Sequence, residues 1–184
     1  MMFYFNSDLK KYKHYSCKSG LTLLLTQQGL WALFVYRINS AIYRSALPQF
    51  VKKLFLLFSV LCQKWIEIVT GISIPYTAQI GHSFYIGHFG NIIINANAII
   101  GNNCNISQGV TIGVSGRGDK RGVPVLGNNI YIGANATIVG KIKVHDNSVI
   151  AANSLVINDV PENTTVLGVP AVPINTNSSK DYIF

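Results

Sequence analysis

Of the four histidines in this chain, only His88 falls where an otherwise regular pattern is broken. An aliphatic residue returns every sixth position at Ile74, Ile80 and Ile86, then after eight positions at Ile94, and again every sixth at Ile100, Ile106 and Ile112. His88 lies in the lengthened gap. An imidazole has an unperturbed pKa of about 6.5, so near neutrality it can take a proton from a hydroxyl and hand it on, and such assistance typically supplies about 10²- to 10⁴-fold in rate. His82 lies close by in sequence and is a weaker candidate to touch the same reactant, whereas His145 sits at an ordinary point of the repeat and His14 in a basic N-terminal arm. A second interruption separates Ile112 from Leu126 and ejects a glycine-rich loop, residues 113–125, carrying Arg117, Lys120 and Arg121. Charges on a loop that leaves a rigid scaffold suit an anionic ligand. Cys104 has no partner in the pattern and reads as a packed residue rather than a nucleophile, which favours direct transfer over a covalent intermediate.

The elements that must position these residues follow from the same spacing. After the loop the count resumes at Leu126 and runs through Ile132, Ile138, Val144, Ile150 and Val156, so all thirteen positions are Ile, Leu or Val. Glycine often follows the aliphatic residue and asparagine lies nearby, and both tolerate the positive φ of a sharp bend. A six-residue unit is then a short strand plus a corner, and three units make a triangular coil. Stacked coils about 4.8 Å apart turn the repeated residues into one prism interior. Before Gly71 the period is different. Between Gly20 and Val69 the apolar residues recur at helical spacing, which predicts two or three helices, with Pro48 separating the second from the third. The chain divides into a helical region 1–70, a repeat domain 71–174 and a tail 175–184 that leaves the repeat. The expected class is mainly β, a parallel β-helix preceded by a small α-helical region.

Composition narrows the partners. With 184 residues and 49% apolar content the chain can bury a core. Its net charge of +8 is concentrated in residues 1–70, where nine Lys and Arg face only Asp8 and Glu67. That bias suits an anionic membrane surface or a phosphorylated ligand, and no nucleic-acid-binding pattern accompanies it. The apolar run Leu54 to Cys62 is too short for a bilayer core that needs about 20 residues, and the early lysines do not suit an export signal. Cys17, Cys62 and Cys104 have neither metal nor redox spacing, so the expectation is a reduced, cytoplasmic protein without a bound metal, able to touch the inner face of an anionic membrane.

At these residues the chain resembles the hexapeptide-repeat acyltransferases, and among them the serine O-acetyltransferase branch. The likeness runs through Gln28-Gly29-Leu30-Trp31-Ala32-Leu33, Tyr36-Arg37, Gly71-Ile72-Ser73-Ile74-Pro75, His88, the ejected loop, Ile132-Gly133-Ala134-Asn135-Ala136 and Leu167-Gly168-Val169-Pro170-Ala171. It implies a left-handed β-helix, a homotrimer with active sites in grooves between prisms, acetyl-CoA as co-substrate, no metal, and His88 as the general base. It also implies CoA contacts at Val114 and Ser115 at the loop start, and at Ala134 and Ala152, where small side chains admit the pantetheine arm. Asn135 and Asn153 would either add polar contacts or simply turn corners, and Arg117, Lys120 and Arg121 are candidates for the CoA phosphates.

The departures bear on the acceptor. Serine acetyltransferases carry Asp before the base where this chain has Gly87, a second Asp credited with orienting the base where it has Ser73, and His and Arg near the loop's proline where it has Val123 and Gly122. Ser73 is left to orient the imidazole more weakly than a carboxylate. An amino-acid acceptor normally needs fixed opposite charges. Their loss points instead to a neutral or large acceptor, a sugar hydroxyl in bacterial capsule or O-antigen polysaccharide biosynthesis, with serine O-acetylation in cysteine biosynthesis as the alternative. A non-catalytic β-helix scaffold is disfavoured by the irregularity beside His88.

Overall fold

The computed structural model describes residues 2–183. Four helices, α1 (Met2–Ser16), α2 (Gly20–Thr26), α3 (Gln28–Arg44) and α4 (Gln49–Thr70), precede a left-handed parallel β-helix. Helix α1 was not foreseen, because the residues it turns inward are Asp8, Lys11 and Tyr12 rather than an aliphatic stripe. Pro48 stands at the N-cap of α4, as its missing N–H and fixed φ favour, and Gly71 ends that helix in the left-handed conformation at φ 64°.

The prism has three faces. The first stacks Ile72–Ser73, Ile92–Ile94, Thr111–Gly113, Thr137–Val139 and Leu155–Val156; the second Gln79–Ile80, Ile99–Ile100, Val125–Leu126 and Lys143–Val144; the third Tyr85–Ile86, Asn105–Ile106, Tyr131–Ile132, Val149–Ile150 and Thr165–Gly168. All rungs are parallel until Ala171–Asn175 closes the third face as an antiparallel strand. Every one of the thirteen repeated aliphatic residues is buried. A second position, four residues after the repeated one, also points inward around most of the prism; it is small at Ala78, Ala98, Cys104, Ala136, Ser148 and Ser154 and large at Phe84, Ile130 and Ile142. Cys104 takes one of these interior positions, which is why it is packed.

Corners are held by ladders. Asn103, Asn129, Asn147 and Asn163 all have φ between 53° and 59°, and their side chains hydrogen-bond in sequence at 2.9, 3.0 and 3.1 Å along the edge between second and third faces. Lys11 caps the ladder, donating to Asn103 Oδ1 at 2.6 Å and to Ser83 O at 3.1 Å.

The first coil leaves an open strand edge, and the helices close it with side chains. Tyr36 Oη donates to Ala78 O and accepts from Ile80 N, and Tyr12 Oη treats Ile86 in the same way. Arg37 donates to Ile80 O and Gly81 O while holding Asp8 through Nε at 2.9 Å, and Asp8 in turn accepts from Phe84 N. Burial pushes the Asp8 carboxyl up, against the opposing pull of Arg37. Such groups would cost free energy if left unpaired.

The tail is ordered against its own prism. Tyr182 stacks on Tyr131, its carbonyl accepts from Tyr15 Oη and Asn105 Nδ2, and Ser179 N donates to Asn147 O. Residues 179–183 therefore pack on the third face of their own chain.

Candidate active site

The edge between third and first faces carries the residues expected to do chemistry. Its corners are joined rung by rung: Gly109 N donates to Gly90 O at 3.0 Å, Asn135 N to Gln108 O at 2.9 Å, and Asn153 N to Ala134 O at 2.8 Å. His88, Ala134 and Ala152 thus belong to one column. The two extra residues of the first corner bulge outward, leaving His88 exposed and Phe89 54% exposed beside it. Sequence reasoning did not single out Phe89, although an aromatic residue next to a base within an insertion was a usable signal.

Asn135 and Asn153 turn their corners at φ 59°. Gly133 lies against the next coil so closely that a Cβ would stand 2.6 Å from Ala152 N. The column is consequently a shallow track of small residues. Ala134 and Ala152 open onto a cleft of about 520 Å³ walled by Tyr131, Thr165, Ile174 and Tyr182, so the tail forms one side of it.

Ser73 lies on the first face of the first coil, and Ile92 N, four residues after His88, donates to Gly71 O directly alongside. The Ser73 hydroxyl donates to Glu67 Oε1 at 2.8 Å. Burial raises the Glu67 carboxyl, but hydrogen bonds from Lys64, Gln63 and Ser73 outweigh it and hold the group below its usual range. The sequence showed Glu67 only as one of two acids in the helical region; its bond to Ser73 was not legible because Glu67 belongs to the last turn of α4, where its register against the prism is set by the helix end.

The remaining candidates lie elsewhere. Val114, Ser115, Arg117, Lys120 and Arg121 form a loop on the edge between first and second faces, pinned by reciprocal hydrogen bonds between Ser115 and Gly122 at 3.1 and 3.0 Å. Within one chain the width of the first face separates this loop from His88. His82 sits on the second-to-third edge with its Nδ1 3.1 Å from Ser83 Oγ, at the other end of the strand from His88, so it does not share the site. Asp8 is fully buried on Arg37 and unavailable to an acceptor. Among the described residues no cluster of three His, Cys, Asp or Glu could hold a metal.

No model of a known protein family matches the chain. Individual proteins do. It is 33% identical to the serine acetyltransferase of Bacillus subtilis over 90% of this chain and 72% of that protein, and 35% identical to that of Synechococcus elongatus over 84% of this chain. It spans 60% of the length of the Synechococcus protein. The chain belongs to the serine acetyltransferase family. Solved structures agree: the Neisseria gonorrhoeae serine acetyltransferase in complex with serine superposes with a TM-score of 0.79 at 34% identity, covering 93% of this chain and 67% of that one. The Brucella abortus serine acetyltransferase in complex with coenzyme A gives 0.82 at 26%, covering 96% and 68%.

This serine acetyltransferase family member is therefore an acyltransferase that uses acetyl-CoA and a hydroxyl acceptor. The expectation of a sugar hydroxyl in polysaccharide biosynthesis is overturned by these relatives. It rested on counting lost charges at Ser73, Gly87, Gly122 and Val123. The count overlooked Glu67, which the fold brings onto the Ser73 hydroxyl.

Proposed function

We infer that the chain is a serine O-acetyltransferase of the kind that serves cysteine biosynthesis, with His88 as general base. The observation that carries this reading is the single edge on which an exposed His88 and the small-residue track of Ala134 and Ala152 are aligned. His88 takes the proton of the serine hydroxyl as its oxygen attacks the thioester carbonyl. The tetrahedral intermediate then expels the CoA thiolate, which takes the proton from the imidazolium. Glu67 and Ser73 tie the end of α4 to the first-coil strand, which pairs with the strand that follows the His88 corner.

The loop bearing Arg117, Lys120 and Arg121 reaches no site in its own chain, which supports a homotrimer in which it faces a neighbour's His88 edge and meets the CoA phosphates there. A ring of three such prisms also covers the exposed Ile93, Ile99 and Val125. Location in the cytoplasm belongs to this reading, since free acetyl-CoA and serine are used there.

The test is free-thiol release from acetyl-CoA with L-serine, run beside His88→Ala. Serine-dependent release that vanishes in the variant, with O-acetylserine identified as product, is the expected result. No serine-dependent release from folded protein that binds CoA would overturn the acceptor.

A further inference from the structure

Helix α4 turns its more apolar side away from the rest of the chain. Its seam against α3 mixes polar and apolar groups: Ser59 is buried there, Asn39 Nδ2 donates to Ser59 O at 3.2 Å, and the half-buried Ile66 packs against the core. On the other side Phe50, Leu54, Leu57, Leu61, Trp65 and Ile68, spaced by three and four, form one exposed stripe along the helix, with exposed Phe58 beside it and Phe50 at 79%, Trp65 at 68% and Ile68 at 78% exposure. A 22-residue helix is about 33 Å long, so this is a continuous apolar band of the kind that marks an interaction surface.

Charge decides what covers it. Lys53 and Lys64 are exposed along one border of the stripe. Both carboxylates of residues 2–70 are engaged, Asp8 buried on Arg37 and Glu67 bound by Ser73, Gln63 and Lys64. A second copy laid against this surface would set lysines against lysines with no free acid between them. The interface of an anionic bilayer offers the complement, phosphates at the level of the lysines and acyl chains below them, with a depth suited to tryptophan. Among the described residues no helix is long and apolar enough to cross a membrane.

We propose that α4 lies in the plane of an anionic lipid surface, burying its Phe50-to-Ile68 stripe among the acyl chains and anchoring the first-coil end of the prism there. This inference is independent of the acceptor.

The experiment is co-sedimentation of the full chain with vesicles of phosphatidylcholine alone and of phosphatidylcholine with phosphatidylglycerol. The expected result is binding to the anionic vesicles that weakens with added salt and falls by about tenfold or more both in Lys53→Glu and in Phe58→Glu/Leu61→Glu. Because these side chains are largely surface groups away from the His88 edge, both variants should keep the wild-type melting temperature and the wild-type rate of thiol release in free solution. That control separates loss of the surface from loss of the enzyme. Wild-type protein left in the supernatant of the anionic vesicles would overturn the proposal. So would vesicle binding indifferent to Phe58→Glu/Leu61→Glu, or an assembly that this variant splits to half its mass, which would give the stripe to a second copy of the chain.

Discussion

His88 was legible from the sequence because a corner needs a fixed number of residues and this one has two too many. The surplus has no place in the prism and must bulge, and what bulges at an edge is accessible to a substrate. His88→Ala is expected to retain CoA binding and lose serine-dependent thiol release by a factor of about 10² or more, which separate binding and turnover assays check. The buried pair of Asp8 and Arg37 was not legible, since neither residue departs from a pattern and the two are held together only by the first coil between them. Arg37→Met should destabilise the fold by about 3 to 5 kcal/mol in denaturant titration, because it strands a buried carboxylate.

At the scale of elements, the six-residue period specified the coils because one inward residue per face is a geometric necessity. Ile132, fully buried in mid-prism, illustrates the dependence: Ile132→Ala is expected to cost about 2 to 5 kcal/mol, read as a lowered denaturant midpoint. Helix α1 escaped the same logic, since its work is polar. Burial pushes the ammonium of its Lys11 down to about 8, outweighing the attraction of Asp8. Between pH 8 and 10.5 the unfolded chain keeps a proton here that the folded chain has lost, so Lys11 makes stability rise with pH through that window, and its burial cost is fully present below pH 8. Unfolding curves of wild type and Lys11→Met across this range check the sign: the wild type should gain on the variant as pH increases.

For the whole molecule, the decisive fact is that the loop and the His88 column occupy different edges of one prism. If a neighbour completes the site, light scattering should give three times the chain mass. Trimers assembled from His88→Ala chains mixed with Arg117→Ala/Lys120→Ala chains should recover activity that neither set has alone, since some grooves then combine an intact His88 with an intact loop. Absence of recovery in verified mixed trimers would place both groups in the same subunit's site. The sequence by itself determined the prism, the helical region before it and the two places where the repeat is interrupted, because each is a matter of local period and of residues that turn corners. Tertiary structure alone decided which residues share an edge, that Glu67 meets Ser73, that the tail walls the cleft, and that α4 faces outward. Those relations depend on how coils stack and how a helix ends against them, and neither leaves a period in the chain.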